Sequence, residues 1–244
     1  MRLPIRFASA FAATLTCSLL WVGTASAVPV EIFFSWGAGA TQNTTLDSSQ
    51  LGEVANGDGT YSYAGSASGG GWGLSWGVTV KEDPFIDGLF AVTNNSLATQ
   101  TYTVIFTLPI TPQILPSSLA GASVIGNLTV NTGGGTLGHN AGAPMFTALL
   151  DGVPYDTLLP FDSSVTLAFG SGSTGSDSFG LPGLTQPGPP VLSSMAIQLT
   201  FTLTPGDSAS FTSRFEVVPI PEPMTAILLG GGLVGLAVFG RNRS

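Results

Sequence analysis

Apolar and polar residues alternate with a period of two along most of this chain, as in strands with one buried face. Val30, Ile32, Phe34 and Trp36 fall on one side, with Glu31 and Ser35 among the residues opposite. Trp72, Leu74, Trp76, Val78 and Val80 alternate with Gly73, Ser75, Gly77, Thr79 and Lys81. Tyr102, Val104, Phe106 and Leu108 alternate with Thr101, Thr103 and Thr107, and Met195 to Leu203 repeats the scheme against Gln198, Thr200, Thr202 and Thr204. Shorter runs lie at Thr60–Ala64, Leu89–Thr93, Ala122–Val130, Phe146–Leu150, Val165–Phe169 and Phe211–Val217. Apolar on one face and hydroxylic on the other predicts antiparallel sheets with one wet side. About nine or ten such strands predict a single antiparallel β-sandwich over residues 28–218, jelly-roll or immunoglobulin-like in general form.

Turn chemistry supports this division. Asn56-Gly57-Asp58-Gly59 and Asp151-Gly152 supply the positive-φ residues of tight hairpins, and Pro205-Gly206-Asp207 turns one strand into the next. Two stretches, Asn131 to Ala143 and Gly170 to Pro190, lack the alternation and read as long, mobile, low-complexity loops.

Both ends of the chain break the pattern. Residues 1–27 have a positive start at Arg2 and Arg6, an uncharged apolar run from Phe7 to Val22, and the small-x-small motif Ala25-Ser26-Ala27. This reads as a secretory signal peptide with Ala25 and Ala27 as its cleavage motif, and Val28 would be the first mature residue. Cys17, the single cysteine, would leave with it, so the mature protein is expected to use neither disulfides nor thiolate ligands.

The final stretch, residues 219–244, has three parts in order: Pro221-Glu222-Pro223, then 17 residues without a charge from Met224 to Gly240, then Arg241 and Arg243. As a helix the apolar part would be roughly 25 Å long, slightly short of a hydrocarbon core but within the span range of about 17–25 residues. The two arginines would stop transfer on the cytoplasmic side. A terminal core helix fits poorly, because Gly230, Gly231, Gly232, Gly235 and Gly240 would each cost about 1 kcal/mol against Ala and no polar face meets solvent. A plain membrane anchor is the simpler alternative. The Gly231/Gly235 spacing matches a helix-dimerisation motif, but in a segment so rich in glycine it reads as composition.

Pro219 to Arg243 resembles the PEP-CTERM sorting signal of Gram-negative bacterial envelope proteins, with Met224-Thr225 standing where Ser or Thr with an aromatic is more usual. The resemblance implies recognition at or near Pro221-Glu222-Pro223 by an exosortase, a membrane-embedded transpeptidase-like enzyme. It also implies transfer to the cell exterior in bacteria that make exopolysaccharide.

Charge placement agrees. Arg2, Arg6, Arg241 and Arg243 lie at the extremes, and between them Lys81 and Arg214 face all 14 acidic residues, a net of −12. That distribution suits an acidic middle exported between basic flanks, and it excludes a nucleic-acid binder. With only 8% charged residues, the exterior is expected to be solvated by hydroxyls and amides.

Candidate chemistry is sparse. His139 is the single histidine, no G-x-S-x-G elbow accompanies it, and it reads as a solvated loop residue. Glu82, Asp83 and Asp87 form the closest carboxylate cluster, an acidic turn that could instead serve glycoside hydrolysis or hold calcium. Asn56 to Thr60 resembles part of a calcium loop, but Val54 and Gly65 stand where carboxylates belong, so a hairpin is the better reading. Trp72 and Trp76 share an apolar face and are expected in the core, whereas Tyr61 and Tyr63 are the better candidates for an exposed sugar-stacking pair. Asn43, Asn94 and Asn127 begin N-x-[ST] triplets, which carry little meaning in a bacterium.

The resulting expectation is a non-enzymatic exported surface or extracellular-matrix protein with no cofactor. Its partners would be an exosortase, the membrane through residues 224–240, and exopolysaccharide. The alternatives are a carbohydrate-binding or adhesive module and, behind it, an extracellular polysaccharide hydrolase.

Overall fold

A computed structural model describes residues 29–220 except 82, 83 and 132. The expected signal peptide and C-terminal helix therefore lie outside the described residues, among which no helix is long and apolar enough to cross a membrane.

The described residues form sixteen strands and one short 3-10 turn, Ser48–Gln50. In chain order the first eight are β1 (Glu31–Gly37), β2 (Gln42–Asp47), β3 (Glu53–Ala55), β4 (Thr60–Gly69), β5 (Trp72–Lys81), β6 (Phe85–Asn94), β7 (Gln100–Pro109) and β8 (Ser118–Val130). The others are β9 (Gly135–Gly138), β10 (Phe146–Leu150), β11 (Val153–Leu158), β12 (Val165–Leu167), β13 (Gly170–Phe179), β14 (Gln186–Gly188), β15 (Ser194–Leu203) and β16 (Ser208–Pro219).

They make two antiparallel sheets. One has the order β11-β10-β15-β7-β1-β2, with β9 also pairing β15 and β12 pairing β9. The other runs β13-β8-β16-β6-β5-β4-β3, with β14 beside β8. Their apolar faces meet in one sandwich-like core. Phe34 of β1 lies 4.8 Å from Trp72 of β5, Phe90 of β6 is 6.1 Å from Phe106 of β7, and Phe201 of β15 is 4.8 Å from Phe211 of β16, ring centre to ring centre.

The alternation predicts the inner faces well. All five apolar residues of β5, the four of β7 and the five of β15 named above are buried. Trp72 and Trp76 lie across Gly69 and Gly65, their register partners on β4, where a Cβ would come within 2.6 Å of each indole. Those glycines are the space the rings occupy. Trp76 also donates its indole N–H to the Leu51 carbonyl at 3.1 Å. The Asp151-Gly152 hairpin forms as expected, with φ of 51° and 76°, and joins β10 to β11. Pro205-Gly206-Asp207 carries the chain from β15 in one sheet to β16 in the other.

Two expectations fail. Gly170 to Pro190 is no structureless loop: it holds β13, paired with β8 from Gly170↔Val130 to Phe179↔Ala122, and then β14. Likewise Asn131 to Ala143 contains β9. These strands, with β2 and the continuation of β11, bring the number above the nine or ten expected. Short strands, and edge strands of small or polar residues, are written by backbone hydrogen bonds to their neighbours, and side-chain periodicity does not report those.

Candidate functional site

The feature that distinguishes the surface is the outer face of the second sheet. Because side chains alternate across a strand, burying Trp72, Leu74 and Trp76 turns Gly73 and Ser75 outward. Neighbouring strands add Ser66, Ser68, Ala91, Thr93, Ser208 and Ser210. Hydroxyls facing each other across strands hydrogen-bond: Ser62 with Thr79 at 3.3 Å, Thr93 with Ser208 at 3.0 Å, and Thr129 with Ser171 at 3.2 Å. The first sheet repeats this at Thr103 with Thr200, 3.3 Å, and Thr136 with Thr166, 3.0 Å. Each of these is a register pair, so the ladder places the hydroxyls.

Shallow grooves cross this face. One of about 330 Å³ lies over Ser66, Ser68, Gly73, Ser75 and Thr93. Another, of about 250 Å³, is lined by Asp87, Ser123, Ser176, Thr212 and Arg214. Arg214 stands opposite Asp87 in register, grips Glu216 at 2.6 Å, and lies 5.6 Å above the Phe85 ring. Sequence reasoning noted Arg214 only as a leftover cation. The i, i+2 spacing of Arg214 and Glu216 on a strand could have paired them, whereas Asp87 needs the pairing of β6 with β16.

Of the predicted chemistry, Tyr61 and Tyr63 are misplaced: both are buried in the core, Tyr63 completely. Burial pushes the Tyr63 phenol well above its ordinary range, the nearby Glu53 carboxylate adds to the effect, and Tyr63 donates a hydrogen bond to Glu53 at 3.3 Å. A stacking pair there is excluded. Their parity with Val78 and Val80 across the β4–β5 pairing is the reason, and it is visible only once that register is known.

His139 is half-buried rather than freely solvated. Its Nδ1 lies 2.9 Å from the Ala143 carbonyl, which it must meet as a donor, and its ring is 5.6 Å from Phe161. Nε2 is buried without a hydrogen-bond partner, so neither ring nitrogen bonds a serine hydroxyl. Asp58 accepts from the Thr60 N–H at 2.9 Å and from its hydroxyl at 2.6 Å, bonds that hold its carboxyl below the usual range and close the hairpin. Asp87 is exposed on β6, while Glu82 and Asp83 lie outside the described residues. Asn94 is fully buried; its side chain donates to the Ala98 and Leu203 carbonyls and accepts from Ser96, so that triplet offers no attachment point.

Two aspartates that sequence reasoning treated only as turn residues organise the ends of the sandwich. Asp207, fully buried, accepts from the Asn131 N–H at 3.1 Å and from the Thr204 hydroxyl. Asp151 accepts from the N–H groups of Leu192, Ser193 and Ser194. Partial burial works against its ionisation, but those bonds outweigh it and hold the carboxyl below its ordinary range.

Cleavage at Ala25 and Ala27, the motif Pro221-Glu222-Pro223, and Arg241 and Arg243 all fall outside the described residues. No protein-family model matches the chain, and neither does any curated protein.

Proposed function

We propose that the chain is an exported, non-enzymatic surface or extracellular-matrix protein, sorted by an exosortase at Pro221-Glu222-Pro223. The carrying observation is the sequence of the tail, in which the tripeptide, 17 uncharged residues and the terminal arginines follow in that order. An apolar stretch of that length followed by basic residues suits a stop in the inner membrane. The motif follows closely on the last strand, β16, which ends at Pro219. On this reading the body is a sandwich of jelly-roll or immunoglobulin-like form. It presents a neutral, hydroxyl-lined face with which hydrated exopolysaccharide can exchange hydrogen bonds in place of water. Sugar stacking on Tyr61 and Tyr63 has no part in it, since both rings are buried.

The test is fractionation of cells with and without the exosortase, with intact mass measured on the secreted form. The expected result is a shortened chain starting at Val28 outside wild-type cells and an uncut tail held in membranes of the deletion strain. Equal retention of uncut protein in both strains would refute the assignment.

A further inference from the structure

Both termini leave the body at one pole. β1 begins at Glu31 opposite Thr107, two residues before β7 ends, and β16 ends at Pro219 opposite Ser118. The Ile220 N–H donates to the Ser117 carbonyl at 3.2 Å.

The same pole carries exposed apolar side chains. Ile114 and Val191 form an isolated antiparallel bridge, with N–H to carbonyl distances of 2.9 and 3.0 Å, and both point into the core. Alternation about that bridge turns Leu115 and Leu192 outward, 54% and 49% exposed. Asp151, through its bonds to the N–H groups of residues 192–194, holds the β10–β11 turn alongside, where Val153 is 64% exposed. Residues 109–118 and 189–194, which carry Leu115 and Leu192, contain no charged side chain, while the carboxylates of Glu31 and Asp151 lie at the same pole.

Chain length says what covers this patch. Three residues separate Ile220 from Met224, the first of the uncharged segment. Four fully extended steps reach at most ~14 Å, and the interfacial layer on one side of a bilayer's hydrocarbon core takes up roughly half of that, so the exit pole stays close to the headgroups. We infer that the pole formed by Leu115, Val153 and Leu192 rests on the lipid surface while the tail is uncut, so that the sandwich stands on its exit end. The inference depends on residues 224–240 spanning the membrane. The tether supplies a high effective concentration, so a shallow apolar contact is enough to hold the orientation. The opposite pole, with Leu97 and Phe169 even more exposed, then faces away from the bilayer.

The experiment uses the uncut chain, carrying Cys17→Ser, purified from membranes of cells lacking the exosortase. It is reconstituted in phosphatidylcholine vesicles containing lipids spin-labelled near the headgroup. Single cysteines introduced as Leu115→Cys, Val153→Cys and Leu192→Cys carry an environment-sensitive fluorophore, with Leu97→Cys and Phe169→Cys as far-pole controls and Leu233→Cys inside the tail. All five body positions are exposed, so labelling leaves the core intact. The near-pole labels are expected to be quenched several-fold more than the far-pole ones. Near-pole quenching no stronger than at Leu97→Cys, with Leu233→Cys buried in lipid, overturns the orientation alone. A label at Leu233→Cys out of reach of lipid overturns the membrane reading and this inference with it.

Discussion

β5 and β13 are both ten-residue strands of the same sheet, and they are built on opposite terms. β5, W-G-L-S-W-G-V-T-V-K, lies between β4 and β6 and buries every second side chain. β13, G-S-G-S-T-G-S-D-S-F, sits at the sheet edge, pairs only with β8 and buries none of its residues completely. One is a strand because water is excluded from one of its faces. The other is a strand because a neighbour offers it a ladder of carbonyls and N–H groups. β13 even breaks that ladder: Thr174 and Gly175 bulge opposite Gly126, and the Thr174 hydroxyl accepts from the Gly126 N–H at 3.0 Å. A bulged edge containing an acidic residue is also a poor template for another chain, which suits a protein with little surface charge.

Truncating β5 should therefore cost the most. Trp76→Ala removes a buried indole and its bond to Leu51, and the expected loss is about 3–5 kcal/mol in urea denaturation. A loss below about 1 kcal/mol would mean that burial does not hold β5. Next comes the glycine beneath that ring. Gly65→Ala places a methyl within 2.6 Å of the indole and should cost about 1–3 kcal/mol. Combined with Trp76→Ala the two should be less than additive, since the methyl then enters vacated space. Strict additivity would show that the ring and the glycine are energetically independent.

The same contrast explains what could be read before the structure. β1, β5, β7 and β15 announce themselves because their large side chains alternate, and their inner faces are those the sequence predicts. β13 carries no such mark, since a run of Gly and Ser has the same composition whether it hangs in solvent or pairs with β8, and the four residues of β9, G-T-L-G, are too few to show a period. Tyr61 and Tyr63 show a related gap. Alternation with Ser62 gives them a common face, but only the pairing of β4 with β5 says that this face is the inner one. The hydroxyl exterior was legible from composition, whereas its cross-strand pairs, and the meeting of Asp87 with Arg214, depend on register between segments far apart in the chain. The proposed sorting motif asks for no register at all, because its three parts follow one another directly in the sequence.

The smaller effects belong to β13. Thr174→Ala leaves the Gly126 N–H without its side-chain acceptor and should cost about 1 kcal/mol, the net worth of one intramolecular hydrogen bond. Thr174→Val keeps the shape and should lose as much. A harmless Val would mean that Thr174 acts by bulk alone.

The least effect is expected at Ser171, whose hydroxyl meets Thr129 at 3.2 Å on the exposed face. Ser171→Ala should change stability by less than about 0.5 kcal/mol, because water replaces the lost partner at once. Hydrogen exchange separates the two strands by the same logic: β5 amides, flanked by ladders on both sides, should exchange far more slowly than those of β13, whose outer edge is open. Equal protection in β5 and β13 would require a partner on that edge. The Gly/Ser strand would then be an interior strand of a larger assembly.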